Sequence, residues 1–322
     1  MATLGTIEDG RGRHAETPLK MPRRAWRDIL WRVWAESGND NIGLIAAGVA
    51  FYAFLAFVPL LASVVLTYGL LADPQTVADH LKVLFDLLPT DAASLIGDQL
   101  VAVTATAAKK TGFGLVVALG LAVYGAMNGA NSIITALNIA YDENETRNFF
   151  KVTFIALAIT VGLLLVAVFT ILAIGALALL EGLIPWAPKF VITLIRIAFW
   201  LAAAVAASTV IATIYRYAPN RRKARWRWLT AGSAFATVGW LGMTLGFGFY
   251  VANFANYNAT YGALSAVVVM LMWLFLSAYI LILGAELNSE IEHQTALDTT
   301  VGRARPMGQR RAYVADTLGE VP

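Results

Sequence analysis

The sequence predicts an all-α integral membrane protein with six transmembrane helices, both termini in the cytoplasm and amphipathic helices in the first external loop. Three observations predict it: a deficit of charge, long uncharged runs, and a lopsided placement of Lys and Arg. Of 322 residues, 58% are hydrophobic and 14% charged, against roughly 25% charge in an ordinary soluble domain. Residues 41–72, 111–141, 152–180 and 228–285 contain no Asp, Glu, Lys or Arg. A bilayer core about 30 Å thick takes roughly 20 apolar residues per helix. The run 228–285 is therefore a hairpin of two spans. With the N-terminus inside, the cytoplasmic segments hold 7 basic residues in 1–40, 2 in 142–151, 6 in 216–227 and 4 in 286–322. The opposite side holds Lys82, Lys109, Lys110 and Lys189. Basic residues flanking spans stay on the cytoplasmic side, so this split fixes the orientation.

The elements follow in order. Residues 1–22 are rich in Gly, Thr and charge with no apolar period, and read as a disordered cytoplasmic tail. No apolar segment followed by a small-residue cleavage site precedes the first span, so that span is read as an anchor. In 23–36, Trp26, Ile29, Leu30, Val33 and Trp34 recur at helical spacing among Arg23, Arg24, Arg27 and Arg32. That is the pattern of a helix lying in the membrane interface; a short helix packed on cytoplasmic loops is the alternative. The six-helix membrane domain, 42–290, has spans near 42–71, 113–140, 152–180, 190–215, 228–252 and 262–287. Pro59 lies inside the first span and predicts a kink, because proline removes a donor and crowds the preceding turn. The external segment 74–110 carries Val77, Leu81, Leu84, Phe85 and Leu88 on one helical face, then Ile96, Leu100 and Val103, which predicts two short amphipathic helices. The hairpin between the last two spans is dense in Asn and Tyr, from Asn253 to Tyr261, and predicts an ordered turn at the outer interface. Residues 291–322 read as a cytoplasmic polar tail.

Polar groups inside the spans are the functional candidates. Tyr124, Asn128, Asn131, Thr135 and Asn138 recur at intervals of four and three, which places them on one face of the second span. An unpaired amide in hydrocarbon is costly, so this face points at other helices or at water. Two readings stand: the wall of a polar pathway, or interhelical hydrogen bonds worth less than about 2 kcal/mol each. Arg196 is the charge well inside a span. It either snorkels to the headgroups or contacts an anion within the bundle, and so joins the polar-pathway candidates. Gly125 and Gly129, and Gly242 and Gly246, form GxxxG pairs that let helix backbones approach closely.

Cysteine is absent and histidine occurs only as His14, His80 and His293, which excludes thiolate chemistry and zinc-thiolate sites. No GxxxxGK[ST] loop is present, so this chain alone does not use ATP through that motif. Proton coupling asks for an intramembrane carboxylate, and Glu286 at the inner end of the sixth span is the nearest. The acidic group Asp142, Glu143 and Glu145 lies in a short loop without histidine, and reads as a solvated loop rather than a metal-dependent catalytic centre.

Several stretches resemble a known family. AAGVAFYAFLAFVPLLASV (46–64), ALNIAYDENETRNFFK (136–151), YAPNRRKARWRW (217–228) and NYNATYGALSAVVVMLMWLFLSAYILILGAELNSE (256–290) are similar to the signature blocks of the YihY/BrkB family of bacterial inner-membrane proteins, covering 25–293. The resemblance implies six helices with cytoplasmic termini. The family's labels include virulence or serum-resistance factor, envelope or lipid transport, and an older ribonuclease BN label; it brings no catalytic residues to this chain. The expectation is a non-enzymatic, multi-pass protein of the bacterial inner membrane, a transporter or flippase of an amphiphilic or small polar envelope-related solute. A membrane scaffold without transport activity is the alternative, and a ribonuclease the third. No cofactor, metal or nucleic acid is expected. Membrane lipids are the expected partners, with an anionic lipid or small solute as ligand.

Overall fold

The computed structural model describes residues 10–68, 113–184, 186, 188–253 and 264–321. Seven long helices run through them: α1 (Arg23–Asn39), α2 (Ile42–Tyr68), α3 (Phe113–Ala140), α4 (Phe149–Leu183), α5 (Lys189–Tyr217), α6 (Thr230–Asn253) and α7 (Ser265–His293). A short α8 (Tyr313–Asp316) follows near the C-terminus. Among the described residues the only β pairing is an isolated bridge between Ala224 and Thr300. Expectations for 74–110 and for the turn beyond Asn253 lie outside the described residues.

Long apolar runs form these helices because a helix satisfies every backbone donor and acceptor internally, as hydrocarbon demands. Among the described residues, four helices are long and apolar enough to cross a membrane: Phe149–Leu177, Lys189–Tyr217, Thr230–Asn253 and Ser265–His293. The count is five if Arg23–Asn39 and Ile42–Phe57, bent by 65°, form one broken span. α2 continues through Pro59. The start of α4 is fixed by Asn148, whose side-chain oxygen accepts from the Lys151 backbone N–H at 3.0 Å. Large apolar side chains stand exposed along α4 and α5, among them Phe154, Leu165, Phe169, Leu194, Leu201 and Val205. An exposed apolar surface of this extent marks a membrane or partner interface.

The core is built where α2, α3 and α7 meet. Ile42, Ala46, Met127, Leu137, Tyr141, Tyr215 and Ile282 are all buried there. Gly125 brings α3 against α2: a Cβ on it would stand 3.0 Å from Pro59 Cγ. Gly129 does the same beside Ala56, at 3.3 Å. The second predicted pair behaves differently. A Cβ on Gly242 or Gly246 meets nothing within 4 Å, so these glycines are not packing sites within the described chain. A tighter approach lies between Gly232 of α6 and Gly284 of α7, where an added Cβ on Gly232 would sit 2.0 Å from the Gly284 carbonyl oxygen.

The described part of the N-terminal segment packs on the bundle. Residues 10–22, read from the sequence as part of a disordered tail, make specific contacts. Ala15 and Met21 are buried in a cluster with Ile29, Val33, Trp228, Leu287 and Ile291. Arg11 pairs with Asp28 at 2.7 Å, and the Ala296 N–H donates to the Arg13 carbonyl at 2.8 Å. Composition suggested a solvated tail because its charges have no local partners. Its backbone is held from some 280 residues away, where the Gln294 amide donates to the Arg11 carbonyl and the Thr295 hydroxyl to the Arg13 carbonyl. Residues 291–321 are held by bonds of their own: Arg310 donates to the carbonyls of Ala296, Arg305 and Ala315. α1 divides its apolar residues between two faces. Ile29 and Val33 are buried against the bundle, while Leu30, Trp31 and Trp34 are exposed. Arg32, expected on a basic outer face, is buried and paired with Glu290 and Gln294.

Candidate functional site

Four of the five stripe residues of α3 lie together on its exposed side. Tyr124 is 73% exposed, and Asn128, Asn131 and Thr135 are exposed as well. The helical period places them on one face, and the described part of the chain leaves that face open. Thr135 satisfies its own hydroxyl by donating to the Asn131 carbonyl at 3.2 Å. Asn131 and Thr135 then open into a cavity of about 400 Å³, lined also by Asn138, Glu143, Asn144 and Glu145. Arg196 is not brought to this face. It is exposed on α5, a helix that packs on α4 and α6, and it lies toward the end of α5 opposite to the one this cavity adjoins.

Asn138, the last stripe residue, is buried and acts as a clasp between two loops. Its oxygen accepts from the Asn220 backbone N–H at 2.7 Å, and its amide donates to Glu145 at 2.9 Å. Asn220 reaches back to the Asn144 carbonyl and the Thr146 hydroxyl. Arg147 spans both sides, donating to Glu145 and to the Ala218 carbonyl. The Arg147 guanidinium holds the Glu145 carboxyl down at about 2. Burial pushes Asp142 and Glu143 the other way, above the usual carboxylate range. The Tyr313 N–H binds Glu143 at 2.8 Å and ties the C-terminal segment to this loop. Glu143 and Glu145 are thus structural acceptors, and among the described residues no group of three His, Asp or Glu is placed to hold a metal.

Sequence reasoning missed the ionic core behind this clasp. Arg221 donates to Glu292 at 2.7 Å, lies over the Tyr141 ring at 4.8 Å, and shares Glu292 with the Thr299 hydroxyl. Asn288 accepts from the Gly232 N–H at 2.7 Å, and Tyr215 donates to the Leu281 carbonyl at 2.6 Å. These residues stand beyond or at the ends of the apolar runs, where only a three-dimensional arrangement reveals a partner. Glu286, the carboxylate singled out from the sequence, is 2% exposed, and its Oε2 has no hydrogen-bond partner. Asp40, half-buried nearby, is raised to about 6 by burial and then by the charges of Asp142, Glu36 and Glu290.

A groove of about 650 Å³ opens between α4 and α5 beside the clasp. Its wall is apolar, from Phe154 to Val166 on α4 and at Val210 and Ile214 on α5. Its rim carries Arg147, Lys151, Arg216, Arg221 and Lys223 and no acidic residue. Asn220 and Arg221 also border a neighbouring polar cavity of about 670 Å³, with Arg222, Arg305 and Arg311.

Long apolar helices, an outward-facing apolar belt and one polar end define a multi-helix membrane protein. The chain belongs to the virulence factor BrkB family, whose model matches residues 33–307. The putative ribonuclease-like protein YfkH of Bacillus subtilis (strain 168) is 31% identical over 266 residues, 78% of this chain and 90% of its own length. A UPF0761 membrane protein of Nitrosospira multiformis is 29% identical over 270 residues; the match covers 82% of this chain but 61% of that relative. Another, from Rhodospirillum centenum, is 28% identical over 319 residues, covering 95% of this chain and 66% of the relative. No solved structure matches the chain.

Proposed function

We propose that this protein is a six-span transporter or flippase of the bacterial inner membrane, moving an amphiphilic or small polar envelope-related solute. The observation that carries the reading is the polar face of α3 that the described residues leave uncovered. Tyr124, Asn128, Asn131 and Thr135 are exposed along a helix that is otherwise mostly apolar, and the face ends in a cavity lined by both polar and apolar side chains. Amides facing hydrocarbon cost free energy unless something polar passes or binds there. A headgroup sliding along this face, with its chains left in the lipid, meets that demand. Glu286 is the buried carboxylate available for proton coupling.

Proteoliposomes containing a fluorescent phospholipid analogue test this. Wild-type protein is expected to make the inner-leaflet analogue accessible to an external quencher faster than protein-free vesicles do. The double variant Asn128→Leu, Asn131→Leu is expected to fall to the protein-free rate while remaining monodisperse. Equal rates in wild-type and protein-free vesicles, for the lipid analogue and for an entrapped small anion alike, overturn the reading. The second reading, a scaffold without transport, is favoured by the same exposed stripe, because amides on an outer helix face also hydrogen-bond a partner's helix. It predicts no flux and a co-purifying membrane partner that the double variant releases. A ribonuclease has less support, since Glu143 and Glu145 are committed to Tyr313, Arg147 and Asn138.

A further inference from the structure

The Arg216 guanidinium is buried at two of its nitrogens without an acceptor. Its Nε and Nη1 have no hydrogen-bond partner, although its flat face rests 4.6 Å from the Trp226 ring centroid. Unmatched buried donors on a charged group are costly, and the guanidinium fork matches phosphate oxygens in pairs. Arg221 Nη1, on the same groove, is unpartnered too. With Lys151 and Lys223 these side chains form a cationic rim containing no carboxylate.

Below the rim the groove is apolar. From Phe154 to Val166 its α4 wall rises about 18 Å at 1.5 Å per residue, close to the roughly 15 Å of one leaflet's hydrocarbon. A soluble anion would satisfy the rim and leave this wall empty. A neutral lipid would fill the wall and bring the rim no net charge.

We propose that the α4–α5 groove is a binding site for an anionic phospholipid of the cytoplasmic leaflet. Its phosphate is bound by Arg216 with Lys151 and Lys223, and an acyl chain lies along the Phe154–Val166 wall. The site rests on the cytoplasmic placement of this end of the bundle. It does not require that the bound lipid be moved.

Native mass spectrometry of the purified full chain tests the site, with phosphatidylglycerol or phosphatidylcholine of identical acyl chains as probes. Phosphatidylglycerol is expected to give adducts at about tenfold lower concentration. Arg216→Gln is expected to remove about that tenfold preference, the effect of one charge-assisted contact. Arg303→Gln, exposed and outside the groove, is expected to change nothing. Gly162→Leu supplies an independent variant, because a Cβ there meets nothing within 4 Å. It fills the wall, leaves the fold intact and lowers adducts of both lipids. Equal affinity for the two lipids, or unchanged preference in Arg216→Gln, overturns the proposal. Displacement of phosphatidylglycerol by equimolar inorganic phosphate overturns it in favour of a soluble-anion site. Absence of flux with selective binding intact defeats the transport reading alone.

Discussion

Asp40 and Glu145 stand at the same end of the bundle and are driven in opposite directions, which makes them a pH signature of the fold. Glu145 accepts from Arg147 and Asn138, so the folded state holds it ionised. Its contribution to stability is present above its unfolded value of 4.5 and is lost as pH falls toward about 2. Asp40 is desolvated among other acids and raised from 3.8 to about 6. Between those values the folded protein keeps a proton that the unfolded chain has released. Stability from this group is therefore full below about 3.8 and is lost as pH rises through about 6. Asp40→Asn is expected to raise the thermal midpoint at pH 7.5, by about 2–4 °C for each kcal/mol recovered. It is also expected to flatten the fall in midpoint between pH 4 and 7. Midpoints measured across that range in one detergent decide it: a variant slope equal to the wild-type slope removes Asp40 as the source.

At the scale of helices, the contact that joins α6 to α7 is set by two glycines no spacing rule singled out. A Cβ on Gly232 would overlap the Gly284 carbonyl and the Asn288 amide, and one on Gly284 would press on Tyr215 and Ala236. Overpacking of a core typically costs about 1–3 kcal/mol. Here the obstructing atoms include backbone, which moves less readily than a side chain. Gly232→Ala is expected to lower the thermal midpoint by several degrees and to reduce the yield of monodisperse protein. Gly242→Ala, facing open space, is expected to leave both unchanged within about 0.5 kcal/mol. Equal effects would mean that α6 packs by its other face. The comparison shows what was legible. Period and hydropathy located every helix named from the sequence within the described residues, because those signals are local. The GxxxG pattern stated that two helices can approach, and for Gly125 and Gly129 they do. It did not state which neighbour arrives, and Gly242 and Gly246 meet none among the described residues. The α3 stripe was likewise legible as a face. That Arg196 stands on another helix was legible from the span positions; that the stripe is open within the described chain depends on helix order around the bundle, which periodicity does not encode.

For the whole molecule, the tails bear on the topology. Residues 10–22 bond to the segment after α7, the loop after α3 bonds to that after α5, and Tyr313 bonds to Glu143. These four regions therefore gather at one end of the bundle. Chain that leaves this end and returns to it must cross an even number of times. Among the described helices, α1 to α3, then α4 with α5, then α6 with α7 lie between successive gathered regions, so two crossings in each interval follow if α2 to α7 each span the bilayer and α1 does not. The basic residues concentrate in those same regions, and on the positive-inside rule we propose that this end faces the cytoplasm. Since the chain has no cysteine, single cysteines report side without background. A membrane-impermeant maleimide is expected to label Lys189→Cys, at the far end of α5, in intact spheroplasts. Arg24→Cys and Arg303→Cys are expected to label only after the membrane is opened. Labelling of Arg303→Cys but not Arg24→Cys from outside would require an odd number of crossings, which the hydrogen bonds between the two tails do not allow. Labelling of both from outside, with Lys189→Cys protected, would invert the protein and put the cationic groove in the other leaflet.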